Sequence, residues 1–363
     1  MNPSRRVTIM LLVAIVIMGG VVWYVERTTR PVPAPSLSSA RSPAPSPSSS
    51  DPGSGQPFGP YPRFASDSVF ARELSSAPLD RSRRPQVELI ARHVRDNWGG
   101  VAALNVDDYA AGFAVASSKT PRTDVLFHDC QRKGETPTGL YDEAKHFVGV
   151  PIPDDAVPAS ASDGHLAVWD REGDVLWEFW VASRRPDGRW QACWGGRIDR
   201  VSQADGRFPA PFGASAAGLA ASGYMVTLED ARRLKIEHAM GLVVMEAGQG
   251  HHYPANRDDG TSTRPEAVKQ GTRLRLDPSV DVDASSMTPL GKAIARAAQK
   301  YGFIVVDKGG AVAVMAESGG RHQKATGRDP WAELGRGTPA YQLLRGFPWD
   351  RLQVVEPGWG SPG

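Results

Sequence analysis

Residues 163–198 read DGHLAVWDREGDVLWEFWVASRRPDGRWQACWGGRI, and this stretch decides the fold class. It holds five of the ten Trp residues: Trp169, Trp177, Trp180, Trp190 and Trp194. Three strand-like runs are separated by two turn signals, Arg171-Glu172-Gly173-Asp174 and Pro186-Asp187-Gly188. Apolar runs divided by such turns predict an antiparallel meander. The period in the middle run is two. Val175, Trp177, Phe179 and Val181 take one face, and Leu176, Glu178, Trp180 and Ala182 take the other. A carboxylate, Glu178, therefore shares a face with an indole, Trp180.

Working outward, a helix is predicted from Ser82, with Pro85 in its first turn, a stripe of Val87, Ile90 and Val94, and Gly99-Gly100 beyond its end. Short strands are expected over 113–116 and 125–127. The run 147–153 is broken by two Pro residues and is an edge strand at best. After the meander, 202–223 is rich in Gly, Ala, Pro and Ser and reads as a long loop. Thr227 caps a short helix, with Asp230 three residues on. A strand follows over 237–245, where His238, Met240, Leu242 and Val244 alternate against Glu237, Ala239, Gly241, Val243 and Met245. A second polar loop, 249–265, is followed by a short strand at 273–276. Thr288 and Pro289 open a helix with a Leu290, Ile294, Ala298 stripe, and Gly302 follows it. The runs 303–307 and 311–316 flank Lys308-Gly309-Gly310 and read as a hairpin. Many short strands with few helices predict a mainly β domain, a β-sandwich or jelly roll with helical additions.

The N-terminus is of a different kind. Val7 to Val25 gives 19 almost wholly apolar residues, about the length that spans a bilayer. Arg5 and Arg6 precede it, which keeps the N-terminus inside and sends the rest out, a bias that Arg27 and Arg30 weaken. A cleaved signal peptide is the rival reading, but Met18-Gly19-Gly20-Val21 is a poor cleavage site and the apolar run continues past it. Residues 31–60 contain nine Pro and nine Ser, so they cannot bury enough apolar surface to offset their ordering entropy. The expected organisation is thus a signal anchor over 1–30, a disordered linker over 31–60 and an extracellular β-rich domain over 61–363. Outside the cytoplasm a Cys130–Cys193 disulfide can persist; two separate buried thiols are the alternative.

A set of blocks carries a resemblance: Asp163-Gly164-His165, Trp177-Glu178-Phe179-Trp180, Trp194-Gly195-Gly196-Arg197-Ile198, Glu237-His238, Asp307 and Phe347-Pro348-Trp349-Asp350. In this order, over roughly residues 64 to 355, the chain resembles a family of exported, membrane-anchored bacterial proteins of uncharacterised function. The resemblance implies one extracellular domain and assigns no catalytic roles.

The 42 basic and 40 acidic residues nearly cancel, which argues against a nucleic-acid partner held by bulk charge. Phosphate-binding loops, a nucleotide fingerprint, the zinc-protease helix motif and the serine-nucleophile elbow are all absent from the sequence, and no cofactor is expected. Gly213-Ala214-Ser215-Ala216-Ala217 comes nearest to an elbow but lacks the second Gly. His251, His252, Asp258 and Asp259 put metal-type ligands on one loop, although adjacent His residues rarely reach one ion and a solvated loop explains them equally. An aromatic sheet bearing carboxylates fits a carbohydrate site better. Sugar rings pack on Trp faces, and glycosidic cleavage commonly uses two carboxyl groups. Asp163, Glu178, Glu237 and Asp307 are carboxylate candidates, and His165 or His238 would be the base that lyase chemistry needs. The leading set is Glu178, His238, Asp163 and His165 as catalytic groups with Trp180 as the sugar platform. Glu178 and Trp180 lie about 6.5 to 7 Å apart along the strand, so the Trp can hold a ring while the carboxyl reaches the next bond. The expected partners are a polysaccharide or cell-wall component and, through residues 7–25, the membrane. A non-catalytic carbohydrate-binding module or envelope scaffold uses the same Trp face without a convergent acid and base.

A reporter that works only outside the cytoplasm, fused after Gly363, is expected to be active. Activity from a cytoplasm-only reporter at that position would place the domain on the other side.

Overall fold

A computed structural model describes residues 61–362. The expected anchor and linker lie outside these residues. Among the described residues, no helix is long and apolar enough to cross a membrane.

The domain is mainly β, as the sequence predicts. The first half supplies β1 (Ala103–Asn105), β2 (Phe113–Ala116), β3 (Leu126–Phe127), β4 (Leu166–Asp170), β5 (Val175–Trp180), β6 (Ser183–Arg184), β7 (Trp190–Ala192) and β8 (Trp194–Asp199). The second half supplies β9 (Met240–Val244), β10 (Ala247–His251), β11 (Val268–Gln270), β12 (Arg273–Leu276), β13 (Phe303–Lys308), β14 (Ala313–Met315) and β15 (Leu352–Val354). The principal helices are α1 (Arg84–Asp96), the short α2 (Ala221–Tyr224) and α3 (Leu228–Arg233), and α4 (Pro289–Lys300). Two sheets dominate: six strands in the order β1-β14-β9-β13-β12-β15, and four in the order β2-β4-β5-β8.

Alternation along the strands sorts the core into layers. On β13, Phe303 and Val305 pack with Ile90 and Val94 of α1 and Leu290 and Ile294 of α4. Their neighbours Ile304 and Val306 face the other way, into a cluster shared with Ala167, Trp169 and Leu176 of the four-stranded sheet. On β5, Leu176 joins that shared cluster, while Trp177 and Phe179 pack outward against Phe147, Leu140 and Trp190. Both sheets are therefore covered on both faces, which is why β4 is buried at every position. The period-two reading of β5 holds as far as Trp180. At Val181 φ is +55°, and the strand ends.

Four expectations change. First, the third run of the meander is two strands. The Pro186-Asp187-Gly188 turn closes a small β6–β7 hairpin in a separate sheet with β3, and β8 then returns to pair with β5. Second, β13 and β14 are not a hairpin, because β9 lies between them, parallel to β13 and antiparallel to β14. The Gly309 N–H bonds to the Val244 carbonyl, so the turn is wrapped around the end of β9 (2.9 Å). Third, the sheets are mixed, whereas jelly rolls and Greek-key sandwiches are antiparallel. The β9/β13, β1/β14 and β2/β4 pairs run parallel. Parallel neighbours need long crossovers, and the segment between β9 and β13 that carries α4 serves as one. Fourth, the 202–223 segment is largely irregular up to Ala220, as expected of a long loop, but much of it is buried. Its Phe208, Ala217, Leu219, Ala220 and Ala221 fill the space between the two sheets. Gly196 makes this possible, since a Cβ there would come within 2.7 Å of the Gly213 nitrogen. The run 147–153 forms no strand, only an isolated bridge between Val150 and Thr123.

Pairing of β3 with β7 brings Cys130 and Cys193 together, and they form a disulfide across 63 residues. Closing a loop of that size restricts the unfolded chain by about 4 kcal/mol. Thiol labelling of unreduced, unfolded protein is expected to find no free cysteine. The Cys130→Ser/Cys193→Ser chain should lose stability of that order in urea titration, and an unchanged midpoint would show that the bridge contributes nothing.

Candidate functional site

A cleft of about 540 Å³ opens between the two principal sheets. Asp163, His165 and Trp180 line it from the β4 and β5 side, Trp194 from the start of β8, Tyr224 from α2, and Asp307 from the end of β13. The segments 214–216 and 257–259 extend the wall, with Lys133, Lys308 and Met315 among the further lining residues.

The aromatic pair comes directly from strand register, because Trp180 sits opposite Trp194 in the β5–β8 ladder. Each indole is then fixed separately. Trp180 Nε1 donates to Asp163 Oδ1 at 3.0 Å. Trp194 stacks on Phe212 with centroids 5.3 Å apart and planes 9° apart. The reversal that follows Trp180 requires the left-handed backbone at Val181, on the order of 1–3 kcal/mol for a β-branched residue. Two backbone bonds hold it: Val181 N to the Asp163 carbonyl (2.7 Å) and Ala182 N to the Gly164 carbonyl (2.9 Å). The 211–215 segment is held by one side chain. Arg257 donates to the carbonyls of Pro211 (3.1 Å), Gly213 (3.0 Å) and Ser215 (3.2 Å).

Glu178 stands behind this surface rather than on it. It is 0 % exposed and is not among the cleft-lining residues. Its Oε2 accepts from Ala221 N, and its Oε1 accepts from Ser222 N and Ser222 Oγ, all at 2.9 Å. The only lining histidine, His165, has Nε2 3.5 Å from Glu178 Oε2.

The protonation states are set by burial. Burial, then the Asp259 charge and, after the opposing Lys308 N–H bond, the Asp163 charge push Asp307 up to about 7. Tyr224 is fully buried, so its phenol is raised well above its usual range, with the charges of Glu178 and Asp307 adding to the effect. Tyr224 reaches this position because β9 has Gly241 beneath it; a Cβ there would lie 2.4 Å from the ring.

The predicted set is thus partly assembled. Asp163, His165 and Trp180 share the cleft, and Glu178 contacts it through His165. His238 does not line it. Its Nε2 lies 3.3 Å from Asp230 Oδ2, and Asp230 also completes the capping box of α3 with Thr227. Burial lowers His238, but the Asp230 hydrogen bond and charge outweigh that and raise it, the behaviour of a structural ion pair. Glu237 pairs with Lys235 at 2.8 Å, on the surface. On the polar loop, His251 Nδ1 lies 3.0 Å from Asp258, and no group of three or more His, Cys, Asp or Glu side chains among the described residues is placed to hold a metal. Asp307 carries a signal in the sequence, as the carboxylate that closes the apolar run Phe303–Val306. Tyr224 carries no comparable signal. No family model, curated protein or solved structure matches the chain.

Asp307 should leave a mark on stability. Its ordinary value is 3.8 and its folded value about 7, so between these the folded state binds the extra proton. Stability from this group is full below about pH 4 and is lost as pH rises through about 7. Glu317 is also raised to about 7, chiefly by burial, and adds a loss of the same sign. Asp307→Asn is expected to shrink, without abolishing, the difference in unfolding free energy between about pH 4.5 and about pH 8, the remainder coming from Glu317. Urea titrations giving the same difference for both proteins would contradict the raised carboxyl.

Proposed function

We propose that this protein is a membrane-anchored extracellular protein that cleaves a cell-envelope or extracellular polysaccharide by acid–base hydrolysis. The observation that carries this reading is Asp307, a carboxyl that keeps its proton near neutral pH, in one cleft with Asp163 and the paired indoles of Trp180 and Trp194. Indole faces pack on the C–H faces of sugar rings. A protonated carboxyl beside them supplies the acid that a departing glycosidic oxygen needs. The apolar segment 7–25, the Pro/Ser-rich linker and the resemblance to exported, anchored proteins support the extracellular setting. The two packed principal sheets support a sandwich-like description of the domain despite its mixed strands.

A non-catalytic binding module is the second reading, and the Trp194–Phe212 stack favours it, since a rigid aromatic platform serves binding alone. The full chain, incubated with a panel of neutral and uronate-containing polysaccharides, is expected to release new reducing ends. Asp307→Asn should lower turnover at least about 100-fold and spare affinity, whereas Trp180→Ala should weaken affinity. Glycan binding without cleavage by the wild-type chain would favour the module; neither binding nor cleavage across the panel would overturn both readings.

A further inference from the structure

We infer that Glu178 and His165 form a proton-accepting dyad, with His165 the general base of the cleft and Glu178 the residue that positions it. The inference rests on the hydrolytic reading above. Its starting point is a contrast between neighbours. Glu178 is fully buried and over-provided, with two backbone N–H groups and one hydroxyl bonded to its oxygens. His165 is 9 % exposed and under-provided, because neither of its buried ring nitrogens has a hydrogen-bond partner among the described residues. A buried polar atom left unpaired costs about 1–3 kcal/mol, and such atoms persist where they are used.

The other groups of the cleft leave the base role open. Asp163 is engaged by the Trp180 indole N–H, Asp258 by the Gly250 N–H and His251, and Asp259 by Gln270 and Lys308. Asp307 holds its proton near neutrality, and Tyr224 holds its proton far above it, so both are donors. His238 is tied to Asp230 and does not line the cleft. His165 lines the cleft, and the carboxylate 3.5 Å from Nε2 favours the tautomer with the proton on Nε2. Nδ1 is then the lone-pair nitrogen; it is buried like Nε2, so the substrate must turn the ring toward the cleft for a water to meet it. In the step, Nδ1 takes a proton from water as the water oxygen bonds to the anomeric carbon. The glycosidic C–O bond breaks, and the departing oxygen takes the proton of Asp307. His165 becomes an imidazolium beside the Glu178 carboxylate, which offsets the new charge. Proton return from His165 to Asp307 through solvent restores the site.

Two measurements on the full chain in detergent test this. Histidine-selective ¹⁵N NMR, with the His165 signal assigned from both His165→Gln and His165→Asn, should show the neutral ring protonated on Nε2, and Glu178→Gln should shift that tautomer balance. A wild-type ring protonated on Nδ1 overturns the dyad without any variant having to fold. In turnover assays on a cleaved glycan, His165→Gln should lose at least about 100-fold with affinity within about threefold, and Glu178→Asp should retain more turnover than Glu178→Gln. Cleavage that survives His165→Gln overturns the dyad and leaves the polysaccharide reading intact. An Nε2-protonated His165 in a chain that neither binds nor cleaves any glycan supports the positioning by Glu178 and overturns the reading of the cleft.

Discussion

The domain depends on a charge placed between two sheets. Glu178 points inward from the middle of β5 into a space otherwise filled by Ala167, Leu176, Leu219 and Ile304. A carboxylate there is tolerable only with several donors, because leaving a buried charge unpaired costs several kcal/mol. The donors come from Ala221 and Ser222, at the start of α2. That requirement draws much of the 202–223 segment into the gap, although Ser202, Gln203 and residues 209–211 stay exposed. Once there, the segment supplies the apolar side chains that separate the sheets, puts Tyr224 over β9 and sets Ala214, Ser215 and Ala216 along the cleft. One polar contact thus spaces the layers and shapes the candidate site.

Local chemistry was legible in the sequence. Thr288 with Pro289 opens α4, and Thr227 with Asp230 opens α3, because a cap is decided within four residues. The two faces of β5 were legible for the same reason. What escaped was non-local. The Lys308-Gly309-Gly310 turn has hairpin residues, yet β9, far away in the chain, offers both of its edges and takes both strands. The Gly- and Ala-rich segment reads as a loop because its order comes from Glu178 and Arg257, not from its own pattern.

The site divides along the same line. Trp180 and Glu178 were correctly placed on one face, but sharing a face does not say which group reaches solvent. The chain passes over Glu178 and stops short of Trp180, so one is sealed and the other lines the cleft. His238 illustrates the opposite error. The strand expected over 237–245 begins only at Met240, so His238 lies before it and turns to Asp230, while Met240 and Leu242 pack against the helices.

The strand order has a consequence for biogenesis. β1, near the start of the domain, finds its partner only in β14, and β12 is flanked on its outer side only when β15 arrives near the end. Leu79 likewise bridges to Val355. The large sheet is therefore stitched from both ends of the domain, and such long-range pairing is slow to form. While the chain is incomplete, the early strands are left with open edges until its last segment arrives. The domain is built to fold as a late, concerted event, once its last segment is in place.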